Sequence, residues 1–328
     1  MLLLDAAEVR ELLPMADAIA ADKEAFLLHS NGETEVPVRP GFTLSGRGSS
    51  LFMPAYVKGK IDRVGIKIVS VYPKNAAKGI PVVPAQVLLL DPDTGEVCAM
   101  MNGSELTRIR TGAIAGAATD ILARADASVG ALFGTGGQAP SQLEAMLCAR
   151  KLKEVRIFDA LRERIVPFVE ANAALAGWYG AMLVAADTAD AAIDGADVIT
   201  TVTTASRPVF DGTRVKPGAH VNGVGSFQPD MRELDEALLN RARVFVDNRE
   251  AVLAEAGDFL IPEKEGGYDT KNIAGELGDV LAGRIAGRTS DDEITVIKTV
   301  GYAVLDVVAA VRVYENALRR GKGREVEI

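Results

Sequence analysis

Along the chain the alternation of apolar and polar positions changes character twice. Over residues 5–30 the apolar positions of "MADAIAADKEAFLLHS" recur near every 3.6 residues, with Asp5 placed as an N-cap and Gly32 as a stop, and a helix is predicted. The segments "SSLFMPAYV", "VGIKIVSV", "AQVLLLD" and "EVCAM" are then β-branched or alternating. They are parted by turn signals such as "GKID" and "DPDTGE" and predict a β-rich region. From residue 129 onward come short, nearly continuous apolar runs, "VGALF", "VRIFD", "AMLVA", "DVITT" and "AHVNG", the first three joined by stretches of helical composition. That alternation signals a parallel sheet with crossover helices. The segment "DEITVIKTVGYAVLDVVAAVRVYENALRR" reads mostly as one helix with a small-residue stripe.

Composition adds bounds. A chain of 328 residues, 48% hydrophobic and 25% charged, is long enough for two cores. The net charge of −9, with no concentrated basic face, argues against a nucleic-acid partner. No run reaches the roughly 18 apolar residues that span a bilayer. The start, "MLLLDAAEVR", has neither a basic region nor an apolar stretch of secretory type, and no signal peptide is expected. Two cysteines, Cys98 and Cys148, in no paired motif fit a reducing compartment, and a cytoplasmic location is expected. The two histidines, His29 and His220, show no metal-ligand spacing, so no metal is expected.

Candidate chemistry gathers at "ALFGTGGQAPSQLEAM", residues 131–146. A strand followed by Gly-x-Gly-x-x-Ala and a helix is the first turn of a dinucleotide fold. Gly134 permits the tight turn, Gly136 lets the backbone approach a pyrophosphate, and Ala139 takes the packing position. The helix opening near Gly137 points free N–H groups at that pyrophosphate. Glycine-rich strand-to-helix turns also serve packing alone. Asp159, twenty positions past Ala139 at the end of "VRIFD", can accept hydrogen bonds from ribose hydroxyls and would repel a 2′-phosphate, which favours NAD over NADP. An aspartate there can also be an N-cap.

Together with "SELTRIRTGAIAG", "GIKIVSVYPKN", "NGVGSFQPDMRELD" and "ITVIKTVG", the glycine turn resembles the ornithine cyclodeaminase and mu-crystallin family, five segments in the family's order over nearly the whole chain. The resemblance implies an α/β fold of two domains: a Rossmann-type dinucleotide-binding domain at 118–299, and a β-rich α+β substrate and dimerisation domain at 1–117 to which 300–328 return. It also implies a homodimer.

Hydride exchange at a carbon bearing an amine or imine needs a grip on the substrate carboxylate and a proton manager near the nitrogen. The resemblance places Arg39 of "VPVRP" and Arg110 of "RIRTG" at the carboxylate, a task suited to a planar guanidinium. Taken singly, each arginine reads more readily as a surface or salt-bridge residue. Lys67 stands between Ile66 and Ile68 in an apolar strand, where a lysine tends to lose its proton. In the family the matching lysine lies in the substrate site, so Lys67 would orient the imine and exchange a proton with it. Strand alternation leaves a solvent-facing lysine equally open.

The resemblance further implies cofactor contacts by Arg110, Thr111, Gln138 and the strand-end Thr203. It adds Asn222, Val224 and Gly225 beneath the nicotinamide, and Thr299, where the family usually has serine. In ornithine cyclodeaminases the segment matching "NGVGSFQPD" carries a catalytic aspartate; here Phe227 takes its place. The expected activity is an NAD-dependent amino acid dehydrogenase or imine reductase, interconverting a small 2-imino acid and an L-amino acid. The imino acid would be a cyclic ketimine or one formed from a 2-keto acid and ammonia. A cyclodeaminase-type lyase and a crystallin-like binding protein are the alternatives.

Overall fold

The computed structural model describes residues 1–37 and 40–327. The chain divides into two compact units, Met1–Arg110 with Tyr302–Ile328, and Thr111–Gly301. The divisions fall after Arg110 and before Tyr302, where 117/118 and 299/300 were expected.

The first unit begins with β1 (Leu2–Leu4), α1 (Ala6–Leu12) and α2 (Met15–Ser30). The single helix expected over 5–30 is thus two. Pro14 between them has no N–H to continue the α1 ladder and pushes Leu13 out of helical conformation, to φ −128 and ψ 71. Asp5 does cap α1: its carboxylate accepts from Glu8 N at 2.9 Å while the Glu8 carboxylate accepts from Asp5 N at 3.0 Å. Strands β2 (Thr34–Glu35), β3 (Gly41–Leu44), β4 (Gly48–Val57), β5 (Arg63–Val71), β6 (Ala85–Leu90) and β7 (Val97–Asn102) follow. β4 to β7 pair antiparallel in succession and β1 adds in parallel to β7.

The division falls within α3 (Gly103–Leu122). The second unit then alternates strand and helix: β8 (Val129–Phe133), α4 (Ala139–Ala149), β9 (Glu154–Phe158), α5 (Ile165–Trp178), β10 (Met182–Ala185), α6 (Ala189–Ile193) and β11 (Val198–Thr201). After these come β12 (His220–Gly223), α7 (Glu236–Arg241), β13 (Ala242–Val246), α8 (Arg249–Glu255), α9 (Gly257–Glu265), β14 (Gly275–Glu276), α10 (Leu277–Leu281) and β15 (Ile294–Lys298). The sheet runs β10-β9-β8-β11-β12-β15-β13-β14, every pair parallel. Alternate residues of β8 feed opposite faces, Ala131 and Phe133 packing with Ile199 and Val221, and Leu132 with Val155 and Val198.

The chain returns to the first unit as α11 (Ala303–Arg320), which packs on α2 and on β4, β5 and β6, and ends in β16 (Arg324–Glu325), antiparallel to β1. The stretch 292–320 is mostly helix, as expected, but its first part is a strand. Its β-branched run Ile294–Ile297 is a fully buried strand between β12 and β13, and the helix starts only after Gly301 turns the chain at φ +72.

Candidate functional site

In the second unit the strand order reverses between β8 and β11, and the carboxyl ends of strands at such a switch point form the crevice where open α/β sheets bind ligands. The glycine turn lies there. Gly134 has φ +99, and a Cβ on it would stand 2.6 Å from the Val202 carbonyl. Only glycine fits. Gly136 and Gly137 are exposed, and a Cβ on either would meet nothing within 4 Å. Gln138 precedes α4 and its side chain caps nothing, while its buried Oε1 has no partner among the described residues. The open glycine backbone, the uncapped helix start and the orphaned amide oxygen fit a dinucleotide pyrophosphate and its ribose.

Asp159 follows β9 and does not cap a helix. One carboxylate oxygen accepts from Thr135 N and Thr135 Oγ1 at 2.8 and 2.7 Å, and the other from Leu161 N. It thereby pins the glycine turn to the neighbouring strand. Thr111 lies in α3, and its carbonyl accepts from Gln142 Nε2 at 3.0 Å.

Thr203, just past β11, donates its N–H and its hydroxyl to Glu233 Oε1 at 2.6 and 2.8 Å. Glu233 also accepts from Thr201 Oγ1, Gly225 N and Ser226 N. Val224 is buried and its N–H donates to Thr201 O. Gly225 is required: a Cβ there would lie 2.2 Å from Thr203 O and 2.4 Å from Glu233 Oε1. Burial pushes the Glu233 carboxyl above the usual range, against the lowering charge of Lys298. Behind it, Asp258 accepts the backbone N–H groups of Glu233 and Leu234 and pairs with Lys298 Nζ at 2.9 Å.

Two of the expected side chains already hold partners within the unit. Asn222, expected beneath the nicotinamide, has a fully buried side chain that accepts from or donates to His220, Thr119 and Thr200, so its amide stabilises the unit's interior. Thr299 is buried, and its hydroxyl donates to Asp247 Oδ2 at 2.5 Å, an oxygen that also takes the N–H groups of Val300 and Gly301. Its lone pairs remain for a ligand.

The first unit holds the cations. Lys67 lies in β5 and is 2% exposed, so the solvent-facing alternative is excluded. Nor is its surrounding purely apolar: Lys67 Nζ is 2.6 Å from Asp306 Oδ2 on α11. Arg110 donates from Nε to the other oxygen, Oδ1, at 2.8 Å. Its two terminal nitrogens have no hydrogen-bond partner among the described residues. Asp22 on α2 is fully buried, neither of its oxygens has a partner among the described residues, and burial holds its carboxyl well above the usual range, partly offset by Arg110. Arg39 lies outside the described residues.

Asp306, Asp22, Glu233 and Asp247 escaped the sequence reading. Asp306 had a signal: it is the only acid in the apolar run "AVLDVVAAVRV". A lone anion in an apolar helix and a lone cation in an apolar strand ask for each other. Glu233, inside the polar string "MRELD", had none.

A model described as the ornithine cyclodeaminase/mu-crystallin family matches residues 1–321. Over 329 residues, all of both proteins, the chain is 38% identical to a Delta(1)-pyrroline-2-carboxylate reductase of Bacillus cereus (strain ZK / E33L). Thermococcus litoralis Delta(1)-pyrroline-2-carboxylate reductase, solved in complex with NADH and L-proline, is similar with TM-score 0.93 and 37% identity, covering 99% of this chain and 100% of that one. An archaeal alanine dehydrogenase dimer with bound NAD is similar with TM-score 0.91 and 33% identity, covering 100% of this chain and 99% of that one. The chain belongs to the ornithine cyclodeaminase/mu-crystallin family.

Proposed function

We propose that the protein is an NAD(H)-dependent imine reductase that converts a small cyclic 2-imino acid, of the pyrroline-2-carboxylate class, to the L-amino acid. The observation that carries this reading is the buried pair Lys67 and Arg110 sharing one carboxylate, Asp306. Burial pushes the nearby Asp22 carboxyl toward its neutral form, and the terminal nitrogens that Arg110 does not spend on Asp306 suit one substrate carboxylate. The full-length likeness to pyrroline-2-carboxylate reductases supports the ring.

The glycine turn Gly134–Gly137, Gln138 and Asp159 would hold NAD(H), with Thr111, Thr203, Val224, Gly225 and Thr299 around it. When bound, NADH supplies the hydride that the imine carbon accepts. Arg110, anchored through Nε, offers its terminal nitrogens to the substrate carboxylate in bidentate fashion. Lys67 directs a proton at the imine nitrogen, which takes it as the carbon is reduced to an amine. Asp306 keeps the ammonium and the guanidinium at a set spacing and is a positioning residue.

A cyclodeaminase would need an acid/base where Phe227 stands. Phe227 is 45% exposed, and the preceding Ser226 is buried and donates to Met231 O. Exposed Phe42, Ile80, Val83 and Met100 of the first unit suit a homodimer interface, and the free thiols Cys98 and Cys148 suit the cytoplasm. Among the described residues no helix is long and apolar enough to cross a membrane. Light scattering should give twice the subunit mass; a monomer at micromolar concentration would remove the dimer.

The test of function is NADH oxidation with pyrroline-2-carboxylate and, separately, with pyruvate plus ammonia. Faster turnover of the cyclic imine is expected. No oxidation with either would overturn the reading.

A further inference from the structure

Thr203 lies at the switch-point crevice, yet the group that sets its chemistry is two steps removed from any ligand. The Glu233 carboxylate takes five donors, from Thr201 Oγ1, Thr203 N, Thr203 Oγ1, Gly225 N and Ser226 N. Both loops that follow the neighbouring strands β11 and β12 are therefore tied to one fully buried anion. Its own backbone is fixed by Asp258, which Lys298 holds from behind. A carboxylate accepts and cannot donate. Thr203 must then spend its single hydroxyl proton inward; one lone pair of its oxygen takes the Ala205 N–H at 3.2 Å, and the other remains for a ligand at the crevice.

We propose that Glu233 is a positioning residue that locks the Thr203 hydroxyl as an outward hydrogen-bond acceptor, which selects a donor such as a ribose hydroxyl of the dinucleotide. This rests on the reading that the second unit binds NAD(H). The remaining threonine lone pair repels phosphate oxygens, so the lock also discriminates against an anion at that point of the crevice.

The test measures NADH affinity by fluorescence titration on the full chain. Binding by the wild type checks the cofactor reading first; its failure would overturn that reading and this proposal together. With wild-type binding present, Thr203→Val, which keeps the shape and loses the oxygen, should weaken NADH about tenfold. Glu233→Gln puts an N–H₂ against N–H and O–H donors and frees the hydroxyl to turn, and should weaken NADH similarly. The double variant should lose no more than either single one, because both remove the same acceptor. The KM for the imine should move less than about twofold in Thr203→Val, a split that general loosening of the unit would not give. Unchanged NADH affinity in Thr203→Val, or additive losses in the double variant, would overturn the proposal. Should Glu233→Gln fail to fold, Thr203→Val alone decides the matter by the same reading.

Discussion

Asp306 Oδ2 stands 2.6 Å from Lys67 Nζ, and both side chains are sealed from solvent. A charged lysine in a sheet interior is tolerated because a carboxylate on α11 meets it, and the pair is held by geometry rather than by exposure to water. If Lys67 supplies the proton as proposed, Lys67→Ala should lower kcat roughly 10²–10⁴-fold with NADH affinity unchanged. Asp306→Asn instead removes the carboxylate that bonds both buried cations and should cost about 3–5 kcal/mol in a denaturant melt as well as activity. Wild-type kcat in Lys67→Ala would contradict the assigned role.

Cofactor preference follows from Asp159. Its carboxylate is fixed by Thr135 and by Leu161 N, so it cannot swing away from a 2′-phosphate. Turnover with NADPH should be about tenfold or more below that with NADH, and Asp159→Ser should narrow the gap. Steady-state rates with the two cofactors check this; equal rates in the wild type would contradict it.

L-Ornithine should be a poor substrate. The side chain at position 227 is a phenyl ring, which neither takes a proton nor pairs with the substrate's second ammonium group. Incubation with L-ornithine and NAD, assayed for proline and ammonia, should give neither efficiently.

Acid should destabilise the second unit through His220. Burial, the largest cause, and the charges of Arg288 and Arg150 push its pKa down to about 3 from 6.5, against the raising bond to Asn222. The unfolded imidazole takes a proton below 6.5 while the folded one refuses it until about 3. The stability is therefore whole above pH 6.5 and falls with the pH toward 3, by at most ~1.4 kcal/mol per pH unit. Melts of the wild type against His220→Gln across this window should show a shallower slope in the variant. Parallel slopes would exclude His220 as the source.

Local signals made much of this legible. Period-2 patterning marked β4 to β7, and nearly unbroken apolar runs marked β8 to β12; in β8, β11 and β12 two-sided burial in a parallel sheet removes polar positions, whereas β10 is an exposed edge strand. Gly134 was readable because a tight turn against a neighbouring backbone admits no Cβ. What stayed hidden depends on distant pairing. Ile294–Lys298 has the same apolar content as the helix after it, and only its place between β12 and β13 makes it a strand. Asp306 and Lys67 are 239 residues apart, and no local spacing links them. Asn222 looked like a ligand contact because its motif did, but its strand turns the side chain inward.

The interleaving of the two units orders their assembly. Residues 111–301 are contiguous and are complete before α11 emerges from the ribosome, whereas the N-terminal sheet must wait across that whole span for the helix that covers it. Until then Lys67 faces no partner carboxylate, and the face of β4, β5 and β6 meant for α11 stays wet. A chain truncated after Gly301 and released should thus resist protease over residues 111–301 and be cut within the first 110. The acid that meets Lys67 and Arg110 is also the last of the three to be made, so no premature fragment carries a finished cation site.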